Sequence, residues 1–273
     1  MFEDIRKVLL ITDMDGTFLP ASKKPGRKTM EAVERFQEAG GRFSIATGRS
    51  LQAAQQYFDT VAVNCPIIMC NGGMIYDINE KRQLHDVFVP RGTKEIVRKI
   101  LDDNPDVGCE VLRLDNVYIP RLNAMEQRHV EICKVDSPVI CGLDEIPDNW
   151  YKVLFALEPE IMDRLVNYVE GCRFTGVDFV RSSPEYYEIL PQNISKGSAL
   201  SMMREVCAMQ DFTIVAVGDY NNDIEMLEEA DFSFCPSNST DEVKKTADIV
   251  LEQSCEEDAV AAVIDEIFNR MAK

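Results

Sequence analysis

Histidine is nearly absent from this chain: His85 and His129 are the only two in 273 residues, neither stands in a metal-type spacing, and neither is assigned a role. Basic residues are in short supply as well. Lysine and arginine number 29 against 47 aspartates and glutamates, a formal net charge of −18, whereas phosphate backbones and anionic bilayers are bound by clustered cations that release counterions. The deficit is −7 over residues 84–187 and −11 over the rest, so no basic arm offsets it. Nucleic acid and membrane are therefore excluded as expected partners, and an anionic ligand has to find its attraction locally. Cysteine is present nine times, but pairing is missing: the count is odd and there is no Cys-x-x-Cys. Such cysteines read as reduced thiols dispersed through a core, which makes a cytoplasmic location the expectation. No apolar run approaches the ~18 residues of a membrane span, and Glu3 and Asp4 stand where a signal peptide would be basic. Repeats and low-complexity segments are lacking too.

A hydrophobic content of 45% can fill one large domain, or a domain plus a sizeable insertion. The first stretch alternates buried strand and amphipathic helix: strands are predicted over 7–13, 42–47 and 67–70, helices over 28–39 and 50–58. The first helix rests on the spacing of Met30, Val33, Phe36 and Ala39, with Gly40-Gly41 as its stop. The rhythm returns late, with helices over 195–209, 222–229 and 256–271 and a strand over 213–217. Between lie short strands at 109–114, 117–120, 151–157, 174–175, 177–181 and 186–190, interrupted by helices near 93–103 and 159–170. The pattern predicts an α/β chain: a Rossmann-like parallel-sheet core from 1–82 and 188–273, with an α+β cap inserted over 83–187.

Four short islands carry the chemistry, each where a strand ends or a helix begins. The apolar run Val8-Leu9-Leu10-Ile11-Thr12 leads straight into Asp13-Met14-Asp15-Gly16-Thr17. Two carboxylates at the end of a buried strand repel each other, so a cation must sit between them or one must hold a proton. Ser44-Ile45-Ala46-Thr47-Gly48-Arg49 ends a strand on a hydroxyl and a glycine, where phosphate could meet Thr47 and backbone amides. Ser195-Lys196-Gly197 opens a helix with one compact cation, and Gly218-Asp219-Tyr220-Asn221-Asn222-Asp223 follows the strand Ile214-Val215-Ala216-Val217. Each island alone has an ordinary reading: a turn, a strand exit, an N-cap with a solvated lysine, acids at the positive end of a helix. Their joint occurrence, in order, at the edge where parallel strands share their carboxyl ends, supplies the inventory for phosphoryl transfer.

In these four islands the chain resembles the haloacid dehalogenase superfamily, and within it the Cof-type phosphatases with a large α+β cap. Cys70-Asn71-Gly72-Gly73 is similar to the Asn-Gly-rich loop after the third strand, and Tyr187-Glu188-Ile189-Leu190-Pro191 to the return from cap to core. The resemblance implies that Asp13 is the nucleophile, forming an aspartyl-phosphate, and that Asp15 is the general acid and base, its carboxyl able to hold a proton near neutral pH. It implies Mg²⁺ held by the Asp13 side chain, the Asp15 carbonyl and Asp219, with Asn222 and Asp223 adjoining. Thr47, Gly48, Asn71, Gly72, Lys196 and Asn222 would contact the phosphorylated substrate, and Arg49 would reach the ligand or pair with a cap acid. Two departures are small: Phe18 where a leucine is usual, and Tyr220 where a small residue is usual.

The expected enzyme is a Mg²⁺-dependent phosphatase of small phosphorylated metabolites, sugar phosphates first, then cofactor phosphates such as pyridoxal phosphate or flavin mononucleotide. A phosphomutase of the same superfamily and a non-catalytic phospholigand-binding protein are the alternatives. In the cap, Arg113, Tyr118, Arg121, His129 and Arg181 could read a substrate, though for each a surface or structural place is the simpler reading.

Overall fold

The computed structural model describes residues 3–58 and 60–271. The chain opens with β1 (Val8–Asp13), α1 (Arg27–Glu38), β2 (Arg42–Ala46), α2 (Leu51–Phe58) and β3 (Ile67–Met69), then folds back as an antiparallel hairpin, β4 (Met74–Asp77) and β5 (Arg82–Asp86). A second unit follows: α3 (Thr93–Asp103), β6 (Gly108–Leu112), β7 (Val117–Arg121), α4 (Ala124–Cys133), β8 (Val139–Ile140), β9 (Lys152–Ala156), α5 (Pro159–Cys172), β10 (Val177–Ser183) and β11 (Tyr186–Pro191). The chain then returns through α6 (Lys196–Val206), β12 (Thr213–Val217), α7 (Ile224–Glu229), β13 (Phe232–Cys235), α8 (Asp241–Thr246), β14 (Ile249–Val250) and α9 (Ala259–Met271).

The core is one eight-stranded sheet in the order β14-β13-β12-β1-β2-β3-β4-β5, parallel from β14 to β3. β1 lies inside it, and all six of its residues are buried. That is why its sequence runs apolar without alternating: both faces are covered. Val8 and Leu10 pack toward Val33, Phe36, Ile264 and Ile267 of α1 and α9, while Leu9 and Ile11 pack toward Leu200, Met203 and Leu227 of α6 and α7. Phe36 is fully buried, and its truncation to alanine would cost about 3–5 kcal/mol.

The cap sheet has the order β10-β11-β9-β6-β7-β8. One face, with Val111, Val153, Phe155 and Ile189, is sealed by Val97 and Ile100 of α3 and Met162 and Leu165 of α5. The other face turns toward the carboxyl edge of the core sheet. Because side chains alternate along a strand, Glu110 and Leu112 share that face with Lys152, Leu154 and Glu188. Glu110 and Glu188 flank Leu154 from the two neighbouring strands. α4 crosses the end of this face, with Met125 against Leu154 and Ala156.

Three differences from the sequence expectation have physical causes. Phe174 and Thr175 form no strand and lie in the connection from α5 to β10. The helix α4 is absent from the expectation because its inward positions include Glu126 and His129, which break the apolar spacing. The expected borders at 83 and 188 fall inside β5, which belongs to the core sheet, and β11, which belongs to the cap sheet.

Candidate active site

β1, β2 and β12 end side by side, and each hands a polar loop to the same edge. Asp13 is the last residue of β1. The loop after it curls back on itself, with the Phe18 and Leu19 amides donating to the Asp13 and Met14 carbonyls at 3.3 and 2.7 Å. Gly16 sits at φ +89° in this curl, and a side chain there would meet Asp219 Oδ2 at 2.6 Å. Only glycine lets the two acidic loops approach so closely. Thr17 completes the contact by donating to Asp219 Oδ1 at 2.6 Å.

Lys196, at the start of α6, is fully buried between two acids. Its Nζ donates to Asp13 Oδ1 at 2.5 Å and to Asp223 Oδ1 at 2.6 Å. Burial disfavours the ammonium, but Asp13 and Asp223 outweigh it and hold the lysine charged far above its usual range. The other Asp223 oxygen accepts the backbone amides of Asp219 and Tyr220 at 2.9 and 3.1 Å, fixing the Asp219 loop. One lysine does not balance three acids. Burial raises the Asp13 carboxyl well above its ordinary value, with Asp223 and Asp219 adding to the rise and Lys196 opposing it. Burial and Asp223 likewise lift Asp219 to about 7. Asp13, Asp219 and Asp223 place carboxylate oxygens within 4.8 Å of one another. A buried, oxygen-only group short of positive charge fits a hard divalent cation.

Asp15 behaves differently. Arg49 binds it through Nε and Nη2 at 2.6 and 2.7 Å, and Lys23 adds a third contact at 2.7 Å. Burial favours the neutral acid, but Arg49 and Lys23 outweigh it and hold the carboxyl well below the usual carboxylate range. In this arrangement Asp15 does not hold a proton near neutral pH, contrary to the expectation from sequence. Arg49 likewise pairs with a core acid, Asp15, and not with an acid of the cap. Its guanidinium is further fixed by the Ala53 carbonyl at 3.2 Å and by stacking over Tyr57.

Thr47 follows β2, its amide donating to Ile68 and its hydroxyl accepting from the Arg49 amide at 3.1 Å. Gly48 lies against the Asn71 side chain. Asn71 itself is in the left-handed region, φ +55°, where asparagine is among the better-tolerated residues. Its amide donates to Glu188 Oε2 at 2.5 Å and its oxygen accepts from Asn222 at 3.1 Å. Gly72 has φ +106°, and any side chain there would overlap the Ser195 carbonyl at the start of α6.

These residues surround a cavity of about 360 Å³ lined by Asp13, Asp15, Thr47, Gly48, Arg49, Asp219, Tyr220 and Asn222 on the core side. Asn71 and Gly72 stand behind Gly48 and Lys196. Of the five cap residues named from sequence, only His129 lines the cavity. Arg113 pairs with Asp115, Arg121 bonds the Leu101 and Asn104 carbonyls, and Arg181 pairs with Asp163; Tyr118 donates to Asp115. The cap wall is instead made by Glu110, Lys152, Ser182 and Glu188, among others. Lys152 and Ser182 both donate to Glu188 Oε1 at 2.7 Å. A signal for them existed in the alternation along β9 and β11, where Lys152 and Glu188 interrupt strands that are otherwise apolar on both faces.

A parallel sheet with acids and a lysine converging at its carboxyl edge, beneath an inserted cap, defines a hydrolase of the phosphoryl-handling kind. The chain belongs to the haloacid dehalogenase-like hydrolases, whose family model matches residues 10–264. It is similar to the 5-amino-6-(5-phospho-D-ribitylamino)uracil phosphatase YwtE of Bacillus subtilis, 27% identical over 94% of this chain and 96% of that one. It is also 27% identical to the pyridoxal phosphate phosphatase YbhA of Escherichia coli, over 89% and 92% of the two chains. The solved structure of the subclass IIB sugar phosphatase BT4131 superposes with a TM-score of 0.82 at 18% identity, covering 95% of this chain and 98% of that one. The protein is an enzyme of the phosphatase type, acting on phosphorylated substrates. Among the described residues no helix is long and apolar enough to cross a membrane.

Proposed function

We propose that this enzyme hydrolyses the phosphomonoester of a small metabolite, a sugar phosphate first among the classes, through an aspartyl-phosphate on Asp13. The observation that carries the reading is the state of Asp13. It ends β1 at the cavity floor with Oδ1 held by Lys196, while Oδ2 carries no hydrogen bond among the described residues. That free oxygen is the one to attack phosphorus. Thr47 and the Gly48 amide hold phosphate oxygens at the next strand end, and Lys196 ties the phosphate to the carboxylates.

Mg²⁺ would be held by the Asp13 carboxylate, the Asp15 carbonyl and Asp219, with Asn222 and Asp223 adjoining. When bound, the ion supplies the positive charge this cluster lacks and screens nucleophile and phosphate from each other. Asp15 protonates the departing oxygen and later takes a proton from the attacking water. For that it must first lose its cations. A phosphate arriving beside Thr47 competes for Arg49 and Lys23, and with those pairs loosened Asp15 is freed from the cations that hold its proton off.

The test is phosphate release from purified protein with Mg²⁺, over sugar phosphates, pyridoxal phosphate, flavin mononucleotide and 5-amino-6-(5-phospho-D-ribitylamino)uracil. Release without a bisphosphate activator separates hydrolysis from a mutase. Asp13→Asn should lower turnover by about 10⁴-fold or more with unchanged circular dichroism. Full activity in that variant would remove the mechanism.

A further inference from the structure

We propose a second divalent-cation site in the cap wall, formed by Glu110 Oε2, Glu126 Oε1 and His129 Nδ1 and suited to a first-row transition ion such as Mn²⁺ or Zn²⁺. It is separate from the aspartate cluster of the core and does not depend on the function proposed above. The three groups come from two elements that the local sequence brings together. Glu126 and His129 are three apart on α4 and so share one side of the helix. Asn123 caps that helix by accepting the Glu126 amide at 2.7 Å, and its own amide donates to the Asp106 and Ala156 carbonyls at 2.9 and 2.8 Å. This pins the start of α4 across β6, where Glu110 points up from the sheet.

The site is buried, and one of its two carboxylates has no hydrogen-bond donor. Glu126 is fully buried, and neither of its carboxylate oxygens has a hydrogen-bond partner among the described residues. Glu110 is also buried, with Oε2 at 3.3 Å from His129 Nδ1, while Glu126 Oε1 lies 4.0 Å from the same nitrogen. All three atoms fall within 4.8 Å of one another. A bare buried carboxylate is costly. A proton on Glu126 cancels its charge and can be donated to Glu110, and a divalent ion would take the place of that proton. A cation satisfies both carboxylates and the imidazole together.

The geometry is close to that of a bound ion. Metal bonds of 2.0–2.2 Å place ligand atoms about 3.2–3.6 Å apart in a tetrahedral site. The Glu110 to His129 separation already lies there, and the Glu126 to His129 separation has to shorten by about 0.5 Å. Cys133 Sγ stands 3.4 Å from His129 Nε2. Against burial, Cys133 and Glu110 raise the imidazole, so a metal would displace the Nδ1 proton facing Glu110 and leave a hydrogen on Nε2 directed at that sulfur. Two carboxylates and one imidazole select a transition ion over a purely oxygen-seeking one. Glu110 and His129 line the cavity while Glu126 stands behind them. The open coordination position therefore faces the chamber, where a water or a donor oxygen of the bound metabolite completes the shell.

Mn²⁺ titration followed by electron paramagnetic resonance and calorimetry decides the matter, comparing the intact protein with Glu126→Gln, Glu110→Gln and Asp219→Asn. The expected result is two ions per chain in the intact protein, and one in each single variant. Crystals grown with Mn²⁺ should show an anomalous peak between Glu110, Glu126 and His129. If the intact protein binds one ion, and Asp219→Asn keeps it while Glu126→Gln loses it, the cap site stands and the core metal falls. An ion count unchanged by Glu126→Gln, or no ion bound at all, overturns the cap site. Should Glu126→Gln fail to fold, the ion count of Glu110→Gln decides between the same two outcomes.

Discussion

The core edge and the cap wall both gather buried acids around one point, but they neutralise them differently. In the core, Lys196 bridges Asp13 and Asp223 and leaves the Asp219 carboxylate, among the described residues, with a threonine hydroxyl as its one hydrogen-bond donor. In the cap, Lys152 and Ser182 satisfy Glu188, while the Glu126 carboxylate accepts no hydrogen bond among the described residues. The core cluster stands where strands end and a helix begins, so its members come in runs of three to six residues. The cap residues stand along strands and one helix face, two or three apart, amid apolar neighbours. One region announces its chemistry in consecutive residues, and the other spreads it over a surface.

Chelation should separate the two regions most sharply. Removing divalent ions with EDTA is expected to reduce phosphate release to background, and Mg²⁺ to restore it; activity indifferent to chelation would show that Lys196 alone balances the core acids. Next in size is Asp15→Asn, expected to lower kcat by about 10²–10⁴-fold, measured with the best substrate of the panel. A loss below tenfold would take the proton-transfer role away from Asp15.

On the cap side the effects fall on stability. Lys152→Met leaves Glu188 buried without its cation, 3% and 2% of the two residues being exposed, and should cost about 3–5 kcal/mol in urea denaturation. Adding Glu188→Gln should recover part of that loss, and no recovery would mean that packing of the Lys152 stem dominates. The smallest effect belongs to a surface pair of the same cap. Arg164 lowers the Asp106 carboxyl, with burial opposing. A depressed folded value means the stability is present above the unfolded carboxylate pKa, about 3.9, and is lost as pH falls. Both groups are about half exposed, so Arg164→Met should cost less than about 1 kcal/mol at pH 7 and nothing near pH 2. A larger effect would show that surface charge contributes to cap stability on the scale of the buried pair.

The same contrast explains what could be read from sequence. The strand exits at Asp13, Thr47 and Asp219 were legible because an apolar run that stops at an acid or hydroxyl fixes both the element and the edge where it ends. The helix start at Lys196 was legible because Ser195 is a good N-cap, and in the structure it accepts the Ser198 amide at 3.1 Å. The hold on Asp15 was not legible. Arg49 stands two residues after Thr47 in the sequence, but its reach to Asp15 depends on the bend fixed by the Ala53 carbonyl and Tyr57. The helix carrying Glu126 and His129 escaped because buried charges look like exposed ones until the neighbouring strand is known. Late strands such as β13 and β14, four and two residues long, are too short for periodicity to speak.

Gly72 has no side chain, and the place one would take is bounded by the Ser195 carbonyl and the Ala199 β-carbon. Its α-carbon lies against the Ser195 carbonyl, one residue before Lys196, so any added carbon pushes on the turn that aims the ammonium. In a saturation library scored by activity, this position should tolerate as little as Asp13 does. Such a library would rank it among the chemical groups of the enzyme, although what it contributes is the space it leaves empty.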